Sequence, residues 1–167
     1  KSLNHSKYVR HNQNIESNYD LVVLKDLTDI KRGTSITKKD ITEGSIPVIA
    51  GGQKPAYFHN KFNRKSNCIT ISSSGAYAGF VNFHNQSIFA SDCFTIETNS
   101  KKLNQKFLFY LIKSKQDFIY SFQSGMGQPH VYAKDFDDFK IPLPSLEVQN
   151  EIVKELDAYQ KIINGCK

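Results

Sequence analysis

At 167 residues the chain has room for one ordinary domain. Hydrophobic residues at 39% and aromatics at 12% supply a real core and exclude wholesale disorder. No apolar run approaches the roughly 20 residues needed to span a bilayer. The net charge of +6 points to a polyanionic partner, with a membrane surface or an acidic protein left open on charge alone.

The distribution of charge says more than its total. From Gly44 to Ser91 there is no Asp or Glu, whereas Lys54, Lys61, Arg64 and Lys65 fall inside that span. A second basic knot, Lys31, Arg32, Lys38 and Lys39, precedes it. Cys68, Cys93 and Cys166 are too scattered for a disulfide framework or a zinc knuckle, so reduced thiols in a cytoplasmic protein are expected.

In chain order, residues 1–20 are rich in Asn, Ser and His, lack a period and read as an arm or linker. They hold no apolar run of the signal-peptide kind. The chain opens on Lys1, as expected of a segment cut from something longer. Leu21 to Leu24 is a short apolar run, and Asp26 to Ile30 is read as one helical turn before Gly33. Ile46 to Ala50 is a second run, closed by Gly51-Gly52.

Strand signals then crowd together. Cys68 to Ser72 is β-branched and ends in Ser73-Ser74-Gly75; Tyr77 to Phe83, Ile88 to Ala90 and Cys93 to Glu97 follow. Strands this short predict a mixed or antiparallel sheet. Leu108, Leu111, Ile112, Ile119 and Phe122 then share one face of a helix that ends at Ser124 to Gly127. Phe139 to Leu143 alternates like a strand, confined to an edge by Pro142. Ser145 caps a last helix in which Ile152, Leu156, Tyr159 and Ile163 are spaced like a coiled-coil seam. Two heptads are too few for a coil alone, so this helix either packs on its own domain or continues into a partner.

The fold class expected is therefore α+β: a short-stranded mixed or antiparallel sheet with one packed amphipathic helix, followed by a C-terminal spacer helix. The divisions are 1–20 arm, 21–144 domain and 145–167 the start of the spacer helix.

Catalytic chemistry is largely excluded. The sequence has no Gly-x-x-x-x-Gly-Lys-Ser/Thr phosphate loop, no Gly-x-Gly-x-x-Gly and no Gly-x-Ser-x-Gly elbow. It has no Pro-Pro pair, which the Asn/Asp-Pro-Pro-aromatic tetrapeptide of adenine methylation requires. The five histidines show no His-x-x-x-His spacing, so no metal site is expected. Asp135, Asp137 and Asp138 would be the place to seek a metal-dependent nuclease, and a solvated acidic turn is the simpler reading.

Binding chemistry is richer. Gly51 to His59 joins a flexible turn to amide, cationic and aromatic side chains, types that suit base edges and phosphates. Ser72 to Gly79 and Gly125 to His130 are two more glycine-bearing polar loops. On chemistry, Lys31, Arg32, Lys54, Arg64 and Lys65 are the phosphate-binding candidates. Gln53, Tyr57, His59, Ser74, Tyr77, Gln128 and His130 are the base-reading candidates. Core or edge packing is the alternative for Tyr57 and Tyr77, and a capped turn for His130.

Taken in order, several pieces resemble the specificity subunits of type I restriction–modification systems and the target-recognition domains of related fused enzymes. The pieces are Leu24-Lys25-Asp26-Leu27 with Ile30 to Gly33, Ile46 to Gly52, Ile69 to Gly75 with Gly79, and Ser91-Asp92-Cys93-Phe94. Phe107 to Leu111, Gly127-Gln128, and Ile141 to Gln149 running into Ile152-Val153 complete the set. The resemblance implies a target-recognition-domain fold that reads double-stranded DNA. It also implies a partner or fused methyltransferase that holds S-adenosylmethionine, with no cofactor in this domain. A second recognition domain would meet the C-terminal helix. Residues 2–9 resemble the linker of fused enzymes. The competing readings are a divergent DNA-processing enzyme and a protein-interaction module acting through the last helix.

Overall fold

The computed structural model describes residues 18–166; most of the expected N-terminal arm lies outside them. The strand β5 (Cys68–Ser72) is buried along its whole length because its two faces meet two different cores. Ile69 and Ile71 point into the main core beside Leu24, Phe94, Ile96, Leu108 and Ile112. Cys68, on the other face, joins a smaller cluster with Ile49, Ile88, Ala90 and Cys93. Alternation in a strand is thus satisfied with apolar groups on both sides.

Antiparallel pairing builds a four-stranded sheet around β5, in the order β2 (Thr28–Arg32), β8 (Cys93–Thr98), β5, β6 (Val81–His84). A three-stranded sheet, β4 (Tyr57–His59), β3 (Ile46–Ile49), β7 (Phe89–Ala90), lies on the smaller core, with β3 and β7 parallel. A two-stranded ribbon pairs β1 (Leu21–Val23) with β9 (Lys140–Pro142). Pro142 stands opposite Leu21 in this ribbon, where a missing N–H is tolerated.

Three local expectations are corrected. Asp26 to Ile30 is not a helical turn: the 3-10 turn lies one step earlier, at Leu24–Asp26. Thr28 and Ile30 instead alternate inward along β2, and Thr28 donates its hydroxyl to the Leu24 carbonyl at 2.8 Å. Gly51 to His59 is not all loop, because its end folds back as β4 and Ala56 donates to Val48 at 2.9 Å. The single expected helix is two, α1 (Gln105–Ser114) and α2 (Gln116–Tyr120). Asn104 caps α1, accepting from the Lys106 and Phe107 amides. At its end Lys115 N–H bonds back to Ile112, a tighter turn that separates α1 from α2. Gln116 then spans to the β-sheet, donating to Gly79 and accepting from the Val81 amide.

The final helix, α3 (Leu146–Gly165), begins at Ser145, whose hydroxyl accepts the Val148 amide. Its first half packs on the domain through Ile152 and Val153. Gln149 is fully buried there. Its amide accepts from Asn104 N–H at 2.8 Å and donates to the Lys102 and Pro144 carbonyls, both at 2.9 Å. One turn beyond Val153, Asp157 takes the Lys106 ammonium at 2.7 Å and the Tyr110 hydroxyl at 2.5 Å. Past that point Tyr159, Ile162 and Ile163 are exposed. The first half of the helix is thus docked on its own domain, as one of the two expectations had it, and the apolar face of the second half is uncovered by the rest of the described chain.

Candidate nucleic-acid interface

The strands β2, β3 and β5 all run towards one end of the molecule, where β8 begins. The segment Ser91-Asp92-Cys93 ties their ends together. Gly33 donates to Cys93 at 2.8 Å, Ser91 to Ile49 at 2.8 Å, and Ser73 to Asp92 at 3.1 Å. Backbone groups that would end orphaned are thereby paired with each other.

The three glycine loops singled out in the sequence meet at this same end. The loop after β5 is joined to the loop after α2 by Gly75 donating to Pro129 and Val131 donating to Ser73, both at 3.0 Å. The Ser74 hydroxyl donates to the Asp92 carboxylate. Gly51, starting the loop after β3, presses on the same point: a Cβ there would stand 2.5 Å from the Ser74 carbonyl and 3.1 Å from the Asp92 carboxylate. Only glycine permits that approach.

The expected site residues fall into groups. Gln53, Lys54 and Gln128 are exposed on the converging loops, and Tyr57 and Tyr77, beside them in sequence, are exposed over 40% and 44% of their surface. Arg32 is exposed at the end of β2, one residue before Gly33; Lys31 is exposed too, 3.7 Å from the Asp29 carboxylate. His130 is half-buried and stacks on Tyr132 with ring centroids 5.9 Å apart. Ser74 is half-buried with its hydroxyl already given to Asp92. Lys65 is exposed but precedes β5, whereas Ser74 follows it, so the length of that strand lies between them in the chain.

Two of the candidates are turned inward. His59 is only 4% exposed, its Nδ1 lies 3.0 Å from the Thr42 amide, and its ring meets Phe89 edge-on. It holds β4 in place and presents nothing to a ligand. Arg64 has a side chain only 14% exposed. Its three kinds of guanidinium nitrogen donate to Thr95 Oγ1, the Asn63 carbonyl and the Arg32 carbonyl at 2.8–2.9 Å. These bonds tie the guanidinium to β8 and to the end of β2.

Other residues at this end were not among the binding candidates. Asp92, which the sequence marks only as part of the Ser91-Asp92-Cys93-Phe94 piece, organises the loops. Tyr132 is exposed, stacked against His130, with the Lys134 ammonium 5.2 Å from its ring centroid. Met126 is fully exposed at a loop tip. In the acidic stretch Asp135 to Asp138, Asp135 accepts the Tyr132 amide at 2.7 Å and closes a 3-10 turn, while burial raises its pKa. Among the described residues no group of three or more His, Cys, Asp or Glu could hold a metal ion. No described helix is long and apolar enough to cross a membrane.

A mixed α+β scaffold that gathers polar, glycine-hinged loops and free cations at one end defines a class of binding domain that presents loops to an extended partner. Residues 16–167 match the family described as the type I restriction modification DNA specificity domain, and the chain belongs to that family. It is 36% identical over 97 residues to the MjaVIII type I restriction enzyme specificity subunit of Methanocaldococcus jannaschii, covering 58% of this chain and 23% of that one. It is 28% identical to the MpnII specificity subunit of Mycoplasma pneumoniae over 94% of this chain and 50% of that one. Its structure is similar to the crystal structure of a type I restriction–modification S subunit from M. genitalium. The TM-score is 0.79 at 26% identity, over 94% of this chain and 42% of that one. The HsdS subunit of Thermoanaerobacter tengcongensis shares the fold, with a TM-score of 0.66 at 21% identity. The chain thus spans less than half the length of these two solved structures.

Proposed function

We propose that this chain reads a short double-stranded DNA sequence for a type I restriction–modification enzyme and carries no catalytic step itself. The observation that carries the reading is the meeting of three glycine loops around Ser74 and Asp92, at the end where Arg32 and Lys54 remain free. Electrostatic contacts to phosphate supply affinity and register, and loop side chains supply choice. Lys31, Arg32, Lys54 and Lys65 are the phosphate contacts in this reading. Gln53, Tyr57, Tyr77, Gln128 and His130 approach the bases, and Ser74 shapes the loop that carries Tyr77.

In this reading residues 21–144 are the recognition domain and 145–167 begin the spacer. S-adenosylmethionine belongs to a methyltransferase subunit or fused methyltransferase domain in the cytoplasm. The distal half of α3, with Tyr159, Ile162 and Ile163 exposed, meets a second recognition domain or that methyltransferase. Its support is the apolar face on a helix whose first half is firmly docked.

Titration of the chain with duplex DNA at two salt concentrations tests the reading. Four cations on phosphates give a log–log slope of about −3.6. Absence of binding even at low salt refutes it.

A further inference from the structure

Among the described residues Met126 is the most exposed large apolar side chain. Single exposed apolar side chains are ordinary on protein surfaces. This one is 104% exposed, touching nothing, yet the loop beneath it is fixed. Ser124 donates to the His130 carbonyl at 3.0 Å and His130 returns the bond at 2.8 Å, closing the base of the loop. Above that base Gly125 and Gly127 both take positive φ, 111° and 98°, so the chain turns at each and carries Met126 out at the tip. A Cβ at Gly125 would lie 2.8 Å from the Gln128 carbonyl, so the turn is tight as well as left-handed.

The chemistry of the tip is specific. Two residues after Met126 comes Gln128, also exposed. Their Cα atoms lie at most about 7 Å apart, a separation that two side chains on one loop bridge easily. In the major groove an A·T pair offers an adenine N6/N7 edge that a Gln amide meets with two hydrogen bonds. Beside it stands the thymine 5-methyl group, which takes an apolar contact. A thioether beside an amide matches that pair and no other, because a G·C pair has neither the methyl group nor an acceptor–donor edge for Gln on its purine.

We infer that Met126 is a specificity-determining residue that packs on a thymine methyl group in the major groove, with Gln128 on the paired adenine. The inference rests on the DNA-reading function above and adds the base pair that this loop selects.

The test uses the 167-residue chain and a pool of randomised duplexes from which bound sequences are enriched. The enriched duplexes are then copied with either dTTP or dUTP, giving the same sequences with and without the 5-methyl group. The wild-type chain prefers the thymine form by about fourfold, the worth of burying one methyl group. Met126→Ala binds the two forms alike, while Met126→Leu keeps the preference. Unchanged thermal melting of all three chains is expected, since Met126 makes no internal contact. A thymine-to-uracil ratio equal in wild type and Met126→Ala overturns the inference. So does a Met126→Ala loss that falls evenly on both forms, which assigns the side chain to wedging between bases. A chain that enriches no sequence overturns the DNA-reading function as well, which separates the two failures.

Discussion

Gln149→Glu puts the docking of α3 on a measurable footing. The wild-type amide is fully buried and satisfied at both ends: its oxygen takes the Asn104 N–H, and its nitrogen gives two protons to the carbonyls of Lys102 and Pro144. A glutamate has almost the same shape, so packing is preserved and the change isolates polarity. The carboxylate still accepts from Asn104, but its second oxygen faces two carbonyl oxygens with no proton to offer. Each buried acceptor left unpaired costs about 1–3 kcal/mol, and the buried charge adds to that. We expect a loss of about 3–5 kcal/mol at pH 7, a large share of the total stability of an ordinary domain. Urea unfolding followed by circular dichroism would read it as a midpoint about 2 M lower. Protonating the carboxyl restores one donor. The mutant pKa is raised in the folded state, so part of the loss should be recovered as pH falls towards 5. A midpoint within about 0.3 M of wild type at pH 7 would refute the account of Gln149 as the clamp of α3.

Three further outcomes follow from the same geometry. Arg64→Ala removes three internal hydrogen bonds, so it should destabilise the fold by about 2–3 kcal/mol while leaving the salt slope of DNA binding unchanged; a shallower slope would return Arg64 to the phosphate contacts. Gly51→Ala drives a methyl group against the Ser74 carbonyl, so DNA affinity measured by anisotropy should fall roughly tenfold with only a modest change in melting temperature. His84 is buried with Nε2 2.8 Å from the Thr70 hydroxyl, and burial depresses its pKa to about 4. The unfolded chain binds this proton below about pH 6.5 and the folded chain only below about 4, so its share of stability is whole at pH 7 and lost on acidification. The loss is about 2 kcal/mol at pH 5, and in His84→Asn the difference between unfolding at pH 7 and pH 5 should shrink by that amount.

Much of this fold is legible in the sequence because local pattern and burial agree. Cys68 to Ser72 alternates between two chemistries, and in the structure these meet two separate cores. Ser145 followed by the Ile152 and Leu156 spacing specifies α3 directly. What stays hidden are choices made by distant partners. Thr28 to Arg32 carries a helix-compatible pattern, and only pairing with β8 makes it a strand. The break between α1 and α2 depends on Gln116 reaching Gly79 and Val81, more than thirty residues away in the chain. At the site, loop composition picks out Gln53, Lys54, Tyr77 and Gln128, which stand exposed on glycine-bearing loops. It does not separate them from Arg64 and His59, because a basic or aromatic side chain looks the same in sequence whether its nitrogens face water or neighbouring carbonyls.

That difference bears on the proposed DNA-reading function. The groups that fix the loops to one another are backbone amides, the Ser91–Cys93 segment, the Ser74–Asp92 pair and the close approach of Gly51. None of these depends on the side chains at Gln53, Lys54, Tyr77, Met126 or Gln128, which project from the fixed bases. Substitution at a projecting position therefore costs little stability, since exposed side chains away from caps and networks usually shift it by less than about 0.5 kcal/mol. Substitution at a fixing position alters the placement of all three loops together. On the proposed function, a scaffold divided in this way would let the recognised sequence vary while the fold, the docked half of α3 and the direction in which its free half leaves the domain stay the same.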